Sequence, residues 1–146
     1  MKVELAELSQ LKSVTALSQS CSESDLSEAF IAKAIKKQQL WCWTIDSAIV
    51  GFIVESQVLD EAELIQLIVH PSFRRQGYAS IMLAYWHQSI VDRQVTQAFL
   101  EVRDGNSPAE NLYKKHGYEL LNKRKNYYQH DNQLFDALVM VKNLIR

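Results

Sequence analysis

Residues 64–79, LIQLIVHPSFRRQGYA, carry the local pattern that decides the fold of this chain. They begin with an apolar run that only Gln66 interrupts, which is typical of a β-strand covered on both faces. Pro71 has no N–H group to donate to a sheet ladder, so we expect the strand to end near His70. The residues that follow are few and rich in arginine, and they predict a turn.

That turn, residues 73–77, leads into a helix that we predict over residues 78–94. Apolar side chains recur along this helix at positions i, i+3, i+4 and i+7, which is the spacing of a stripe that faces the core. The predicted stripe consists of Tyr78, Ile81, Met82 and Tyr85.

The same turn has the features of an anion site. The start of a helix presents backbone N–H groups and the positive end of the helix dipole, which together favour a phosphate. Gly77 would let the backbone approach the ligand, Ala79 would keep the first helical turn open, and Arg74 and Arg75 would add charge. The alternative is a tight turn at Gly77 with two solvated arginines. Neither GxGxxG nor GxxxxGK[ST] occurs, which disfavours dinucleotide and P-loop sites.

Upstream of this segment, the sequence predicts a short strand, two helices and a hairpin. The strand covers residues 2–5, and the helices cover residues 11–21 and 24–39. For the second helix we expect a capping box at Ser22 and Asp25 and a buried stripe of Leu26, Phe30 and Ala34. The hairpin pairs residues 40–45 with 49–59 around a turn at 46–48, and residues 61–69 form the next strand.

Downstream, the sequence predicts a strand, a helix and a second hairpin. The strand covers residues 97–102, and a turn at 104–106 follows it. Ser107, Pro108 and Glu110 then have the spacing of an N-cap, a first helical residue and a capping-box partner, so we expect a helix as far as His116 and a stop at Gly117. Residues 118–128 and 133–142 form two strands around a turn at 131–132. This order of elements predicts an α/β domain with a mixed sheet.

Length and composition predict one globular domain. The chain has 146 residues, of which 47% are hydrophobic and 23% charged, so intrinsic disorder is excluded. The net charge of −1 disfavours a nucleic-acid binder, and no apolar run is long enough to cross a membrane. With only Cys21 and Cys42 there is no disulfide framework, and we expect a reducing cytoplasm. The four histidines, His70, His87, His116 and His130, show no metal-ligand spacing, so no metal is expected.

Three downstream residues are candidates for chemistry, and each has an ordinary structural alternative. Glu101 stands between Leu100 and Val102 in an apolar strand, where a carboxylate needs water, a partner or a function. A solvated or ion-paired glutamate would also explain it. Tyr113 could be a core residue of its helix, and Asn106 could be no more than a turn former.

Taken together, these residues resemble a known family. RRQGYA at residues 74–79 fits the acetyl-CoA signature Q/R-x-x-G-x-G/A of the GCN5-related N-acetyltransferases, the GNAT family. LEVR at 100–103 with Asn106 and Tyr113, NYY at 126–128 and DA at 136–137 resemble, within that family, the RimI-type protein N-terminal acetyltransferases of bacteria. The resemblance covers roughly residues 50–140. It implies a single GNAT-like domain over residues 1–146, with a mixed, mostly antiparallel sheet flanked by helices.

The resemblance also implies a role for each matching residue. Glu101 would be the general base and Tyr113 the general acid, and Tyr127 and Tyr128 would line the acceptor pocket. Asn106 would bind the cofactor arm. The remaining residues would bind other parts of acetyl-CoA. Leu67, Ile68 and Val69 would present backbone groups to the pantetheine arm and the thioester carbonyl. The residues of the turn and the helix start would bind the pyrophosphate: Arg74, Arg75, Gln76, Gly77, Tyr78, Ala79 and Ser80.

These implied roles are chemically sensible. An α-amino group has a pKa of about 7.7–8.0, so it must lose a proton before it attacks a thioester. A carboxylate can accept that proton, and a phenol can protonate the departing thiolate. No covalent intermediate is required. The implied acceptor is the N-terminal alanine of the eighteenth protein of the small ribosomal subunit.

Two features leave the acceptor open. Residues 21–24, CSES, replace an aromatic-Pro-Trp segment of the family and lie where the acceptor groove is expected. An acidic group of Glu55, Asp60, Glu61 and Glu63 either attracts a basic peptide tail or is an ordinary solvated strand end. The alternatives are therefore a GNAT enzyme that acts on a small amine or a lysine side chain, and a non-catalytic acetyl-CoA sensor or assembly partner.

Overall fold

A computed structural model of the protein describes residues 1–21 and 24–145, without the side chain of His130. The strands are β1 Lys2–Leu5, β2 Leu40–Ile45, β3 Ala48–Val58, β4 Glu61–Val69, β5 Gln97–Arg103, β6 Glu119–His130 and β7 Gln133–Asn143. The helices are α1 Leu11–Gln19, α2 Glu28–Lys36, α3 Tyr78–Asp92 and α4 Ser107–Lys115, with short 3-10 turns at Leu8–Gln10 and Pro71–Phe73.

The strands form a seven-stranded sheet in the order β1-β2-β3-β4-β5-β7-β6. Strands β4 and β5 are parallel, whereas β1 with β2, β2 with β3, β5 with β7 and β6 with β7 are antiparallel. The predicted fold class, an α/β domain with a mixed, mostly antiparallel sheet flanked by helices, is confirmed. In the part of the chain that the structure describes, no helix is long and apolar enough to span a membrane.

The chain forms two compact units. The first consists of Met1–Ser56 and Ile65–Leu83. Its core contains apolar side chains from α1, α2 and strands β2 to β4, among them Val14, Ile31, Leu40, Phe52 and Ile68, each at most 1% exposed. This unit carries the turn that follows β4.

The second unit consists of Gln57–Leu64 and the chain from Ala84 onward. Its buried side chains include Trp86 and Ile90 on α3, Leu100 on β5 and Met140 on β7. The parallel ladder in this unit runs from Glu61 opposite Gln97 to Leu64 opposite Leu100. Strand β4 continues for five residues beyond that last pair.

Both hairpin turns lie where the sequence places them. Asp46 and Ser47 have φ of 49° and 67°, and Asp131 and Asn132 have φ of 49° and 62°. Two consecutive residues with positive φ make the two-residue turn that suits the twist of a hairpin. Aspartate, asparagine and serine tolerate this conformation, which is why local sequence located these turns.

The second helix differs from its prediction in position and phase. It begins at Glu28, not at residue 24, because the side chain of Ser27 accepts the N–H of Phe30 at 3.0 Å and caps it there. Its buried face consists of Ile31, Ala34 and Ile35, so Ala34 is buried as predicted, whereas Phe30 is 39% exposed. Of the capping box predicted at Ser22 and Asp25, Ser22 lies outside the described residues.

The predicted stripe of α3 is wrong in two of its four positions. Met82 is buried, but Ile81 is 50% and Tyr85 40% exposed. The buried face instead follows Met82, Leu83, Trp86 and Ile90. Because α3 is apolar on more than one side, its spacing allowed two phases, and the side that buries Trp86 is the one the fold uses.

Two other local predictions need correction. The cap of α4 is Asn106, not Ser107, since the Asn106 side chain accepts the N–H of Ala109 at 3.5 Å. Strand β4 is not covered equally on both faces: Ala62, Leu64 and Ile68 are buried, whereas its other residues are half-buried or exposed. The carboxylates near its start account for the exposed positions.

Candidate active site

The turn after β4 has a specific backbone geometry in the first unit. The N–H of His70 donates to the carbonyl of Val50 at 2.6 Å, and the N–H of Ser72 donates to Nδ1 of His70 at 3.0 Å. Arg75 and Gly77 then take left-handed conformations, with φ of 63° and 84°. Alternation of this kind turns successive N–H groups toward one point, which is how backbone loops bind anions.

Helix α3 starts directly from this turn. The N–H of Ile81 donates to the carbonyl of Gly77 at 3.2 Å, so the amides before Ile81 belong to the open first turn of the helix. A Cβ built at Gly77 would meet nothing within 4 Å, so the space in front of this glycine is open. The seven residues predicted to bind pyrophosphate, 74–80, are exposed or half-buried, and we call this segment the cradle. This geometry fits the diphosphate of an acetyl-CoA molecule.

Arg74 does not direct its side chain as the sequence suggests. Its Nε donates to the carbonyl of Val69 at 3.1 Å, and its Nη2 donates to Sγ of Cys21 at 3.2 Å. The guanidinium thus ties the turn to the end of β4 and to the buried Cys21. Arg74 and Arg75 are both exposed, and Arg74 is the one whose guanidinium makes these two bonds.

The end of β4 is packed against the neighbouring strand with no room for a side chain at Gly51. A Cβ there would overlap the backbone oxygen of Ile68 and lie 3.0 Å from Sδ of Met82. Ile68 is 1% exposed, and Leu67 and Val69 are half-buried. Close packing therefore fixes the backbone of the three residues predicted to face the thioester.

In the second unit, Glu101 lies on β5 opposite Val139 of β7. Its side chain is 24% exposed, and its Oε1 accepts a hydrogen bond from Nη1 of Arg124 at 2.7 Å. Burial, followed by the charge of Glu101, raises the pKa of Glu63 on β4. Glu101 therefore lies among one cation and one further carboxylate.

Arg124 also contacts a predicted acceptor residue. Its guanidinium lies over the ring of Tyr127, 3.8 Å from the ring centre, and Tyr127 packs edge-on against Tyr128 at 5.5 Å. A shift of register between Arg124 and Tyr128 places these side chains. Between the pairs Arg124–Ala137 and Tyr128–Phe135, β6 has three residues and β7 has one. The structure thus links Glu101 to both predicted acceptor-pocket tyrosines through Arg124.

Tyr113 lies in an aromatic cluster in the same unit. Burial raises its pKa to about 12, with a smaller contribution from Tyr128. Its ring packs edge-on against Tyr118 at 5.8 Å, and the hydroxyl of Tyr118 forms a 2.7 Å hydrogen bond with Nε2 of His87. Tyr113 therefore holds its phenolic proton at neutral pH, as a general acid must.

Asn106, predicted to bind the cofactor arm, has a structural function as the cap of α4. Its Oδ1 accepts the N–H of Ala109, while Oε2 of Glu110 accepts the N–H of Gly105 at 3.3 Å. The acceptor end of the Asn106 amide is therefore used by the helix. Its side-chain N–H₂ group is the part that suits a carbonyl of a ligand.

The predicted acidic group is not a single surface. Glu55 is only 2% exposed because all residues of β3 from Val50 to Glu55 are buried. Asp60 is exposed and accepts a hydrogen bond from the hydroxyl of Thr96 at 2.8 Å. Glu61 and Glu63 are exposed and, two residues apart, lie on the same face of β4. A basic peptide would therefore meet at most three of the four carboxylates.

Sequence reasoning missed Arg124 and the pair of His87 with Tyr118, and it placed Glu63 in an acidic group without its interaction with Glu101. Arg124 is 23 residues from Glu101, and His87 is 31 residues from Tyr118. These contacts depend on strand pairing and helix packing, so the spacing of neighbouring residues does not predict them. The only available signal was the position of Arg124 three residues before Tyr127.

Comparison with known proteins gives consistent results. The family model described as Acetyltransferase (GNAT) family matches residues 7–118. The [ribosomal protein bS18]-alanine N-acetyltransferase of Haemophilus ducreyi is 35% identical over 99 residues, which cover 67% of this chain and 68% of that protein. The Salmonella typhimurium protein of the same name is 34% identical over 97 residues, or 66% of each chain.

A solved structure agrees over nearly the whole chain. The ribosomal-protein-S18-alanine N-acetyltransferase from Escherichia coli superposes with a TM-score of 0.92 at 26% identity, covering 99% of this chain and 94% of that one. Ard1 from Thermoplasma volcanium superposes with a TM-score of 0.87, also at 26% identity, covering 99% and 98%.

Proposed function

This chain belongs to the GNAT family of acetyltransferases, and we propose that its acceptor is the N-terminal alanine of ribosomal protein bS18. As a member of that family it is an N-acetyltransferase whose acetyl donor is acetyl-CoA. The observation that carries the proposal is the group of side chains in the second unit. A half-buried carboxylate, Glu101, is linked through Arg124 to Tyr127 and Tyr128, and Tyr128 in turn influences Tyr113.

The backbone of the first unit supplies the binding of acetyl-CoA in this proposal. The open first turn of α3 holds the pyrophosphate, with Gly77 allowing close approach and Arg75 adding charge. Leu67, Ile68 and Val69 present backbone groups to the pantetheine arm and the thioester oxygen.

Glu101 and Tyr113 carry the proton transfers. Glu101 accepts a proton from the α-ammonium group of the acceptor, and the free amine then attacks the thioester carbon. The new N–C bond forms as the C–S bond breaks, and the electron pair of that bond leaves with the CoA sulfur. Tyr113 donates its phenolic proton to this thiolate and becomes a phenolate, and the new amide nitrogen loses its second proton to solvent, from which Tyr113 is reprotonated. The products are the N-acetylated protein and CoA, and the first proton leaves Glu101 to solvent. Both reactants are held in place, which removes much of the entropic part of the barrier.

Two other functions differ in the expected acceptor or in chemistry. A GNAT enzyme that acts on a lysine side chain or a small amine would use the same cradle and the same base. A non-catalytic acetyl-CoA sensor would need the cradle but neither Glu101 nor Tyr113. We further propose that the 146 residues act as one catalytic domain in the cytoplasm, with no nucleic-acid or membrane partner.

The test is transfer of acetyl groups to defined peptides, followed by mass spectrometry. A peptide with the N-terminal sequence of bS18 should gain one acetyl group on its α-amine. The same peptide with a blocked α-amine and its lysines intact is the matched control and should gain none. Equal acetylation of both peptides would identify a lysine acetyltransferase instead.

A pair of variants tests the chemistry. Glu101→Gln should bind acetyl-CoA as the wild type does and lose at least ~100-fold in turnover, the usual scale for loss of a general base. Glu119→Gln removes an exposed carboxylate at the start of β6 and should leave turnover unchanged. Full turnover in Glu101→Gln would contradict the proposed base.

A further inference from the structure

The guanidinium of Arg124 contacts two residues to which the proposed function gives separate tasks. We infer that Arg124 is a positioning residue for acetyl transfer, which holds the carboxylate of Glu101 and couples it to the acceptor-side ring of Tyr127. This inference rests on the proposed function, which makes Glu101 the base and places Tyr127 in the acceptor pocket. Arg124 touches neither the acetyl group nor the acceptor nitrogen in this scheme, so it acts through its two partners.

The geometry of the ion pair leaves the base able to work. Nη1 of Arg124 lies 2.7 Å from Oε1 of Glu101, a short charge-assisted hydrogen bond. The contact uses one carboxylate oxygen, and a carboxylate has two. Oε2 is therefore the atom that can take the acceptor's proton while Oε1 is held.

The second contact of Arg124 requires the planar shape of its side chain. The central carbon of the guanidinium lies over the ring of Tyr127, 3.8 Å from the ring centre, well within the range of a cation–π contact. A lysine in this position would keep the charge, but it has no plane to stack on the ring while it donates to Glu101. The ion pair with Glu101 requires the charge, and the ring contact with Tyr127 requires the planar group. Substitution by lysine therefore distinguishes the two effects.

The bulge in β6 explains why these three side chains meet. Arg124 pairs with Ala137, and the next regular pair is Tyr128 with Phe135. Within the extra residues, Asn126 has φ of 54°, and its N–H donates to Oδ1 of Asp136 at 3.0 Å. This anchored bulge brings Tyr127 beneath the guanidinium, only three residues after Arg124.

The charges around Glu101 indicate a second effect of Arg124. Glu63 faces Glu101 from β4, Arg124 reaches it from β6, and the uncharged Val139 lies opposite on β7. On β5 itself, Arg103 lies two residues farther on, with its guanidinium 4.7 Å from the ring centre of Phe135. A nearby cation favours an ionised carboxylate, whereas a nearby carboxylate disfavours it. Without Arg124, the Glu101 carboxylate would face Glu63 without the cation that now contacts it.

Three variants separate these effects. Arg124→Gln removes charge and shape, Arg124→Lys keeps the charge, and Lys125→Gln removes the same charge from the next residue of β6 as the matched control. Each is assayed for CoA release with the bS18 peptide across pH, with thermal unfolding measured in parallel. For Arg124→Gln we expect kcat/KM for the peptide to fall about 10- to 100-fold, the scale of misplaced catalytic groups, with KM for acetyl-CoA unchanged.

The pH profile is the readout that a merely structural role would not move. In Arg124→Gln the acidic limb of kcat/KM should move to higher pH, because the cation between two carboxylates is gone. Arg124→Lys should keep the limb near its wild-type position and still lose kcat. Lys125→Gln should resemble the wild type in both respects.

Failure of this inference is distinguishable from failure of the proposed function. Wild-type kcat and an unmoved acidic limb in Arg124→Gln, with Glu101→Gln inactive, would overturn the role of Arg124 alone. An equal loss in Arg124→Gln and Lys125→Gln would also overturn it, since any surface charge would then serve. If Arg124→Gln does not fold, a wild-type kcat in Arg124→Lys has the same meaning. If the wild type acetylates a different amine, the proposed acceptor is wrong, and the same three variants assayed with that amine decide the role of Arg124.

Discussion

Nη2 of Arg74 donates a hydrogen bond to Sγ of Cys21 at 3.2 Å, which joins two residues 53 positions apart in the first unit. Its Nε also holds the carbonyl of Val69, so one side chain fixes the turn to the strand that precedes it. Arg74, which the signature marks for the pyrophosphate, thus orders the turn, and both Arg74 and its neighbour Arg75 are exposed.

Substitution of these two arginines should therefore have different effects. Arg74→Gln should lower the free energy of unfolding by about 1 kcal/mol, because two hydrogen bonds to a charged group are lost, and it should raise KM for acetyl-CoA. Arg75→Gln should raise KM for acetyl-CoA several-fold and leave stability unchanged. Denaturant unfolding and steady-state kinetics of both variants check this. Equal stability of the two variants would contradict the structural role of Arg74.

Gly51→Ala should destabilise the protein strongly. The added methyl group would overlap the backbone oxygen of Ile68, which cannot move as a flexible side chain can. Overpacking of this kind costs about 1–3 kcal/mol, and we expect the upper part of that range. Chemical denaturation measures it. Ala48→Ser, at the exposed start of the same strand, is the control and should unfold like the wild type; a Gly51→Ala protein of wild-type stability would show that the strands can separate without penalty.

Tyr113→Phe should reduce kcat about 100-fold and leave KM for acetyl-CoA unchanged, since it removes a proton donor and little else. Burial raises the pKa of the Tyr113 phenol to about 12, so the proton stays on the oxygen throughout the accessible alkaline range. In the wild type we therefore expect no loss of kcat from Tyr113 up to about pH 10, which a pH–rate profile measures. Tyr85→Phe, on the half-exposed side of α3, is the control. A wild-type kcat in Tyr113→Phe would mean that another group protonates the thiolate.

The buried pair of His87 and Tyr118 should make stability depend on pH. Burial, then the charges of Lys142 and His116, lowers the pKa of His87 to about 3, whereas an unfolded histidine has a pKa near 6.5. Between these values the unfolded chain binds the additional proton, so stability is highest above about pH 6.5 and falls as the pH drops toward 3. We expect a loss of about 1 kcal/mol between pH 7.5 and pH 5.5 from this residue.

The variant His87→Gln tests that dependence. It removes the titrating group and keeps a side chain able to bond to the Tyr118 hydroxyl, so its stability should vary less between pH 7.5 and pH 5.5 than that of the wild type. Chemical denaturation at the two pH values gives the difference. An identical slope in wild type and His87→Gln would mean that His87 becomes protonated without unfolding.

Much of the architecture was accessible from sequence because the signals for it are local. Pro71 ends β4, Gly117 ends α4, and the pairs at 46–47 and 131–132 turn the two hairpins, each through the backbone preferences of one or two residues. The motif from Arg74 to Ala79 likewise predicted an anion site, which stays a prediction, and it predicted the turn itself, in which Arg75 and Gly77 have positive φ. These features depend on the chemistry of neighbouring residues, so they can be predicted without any tertiary structure.

The helix caps and faces were less accessible because several residues compete for one role. Ser27 and Ser22 are both acceptable caps for α2, and Asn106 and Ser107 for α4, and the choice depends on how the adjoining loop is anchored. The buried side of α3 depends on where Trp86 fits in the core of its unit. Glu55 is polar in sequence yet buried in fact, because the middle of β3 is covered on both faces.

By itself, the sequence determined the order of the elements, the turns that join them and the chemical types available for acetyl transfer, because short-range backbone preferences and side-chain identity are enough for each. Only the tertiary structure decided that Arg74 orders the cradle and that Arg124 holds Glu101. Both contacts join residues far apart in the chain. The first depends on how the turn after β4 packs against Cys21, which follows α1, and the second on strand register and a two-residue bulge, neither of which a local pattern specifies.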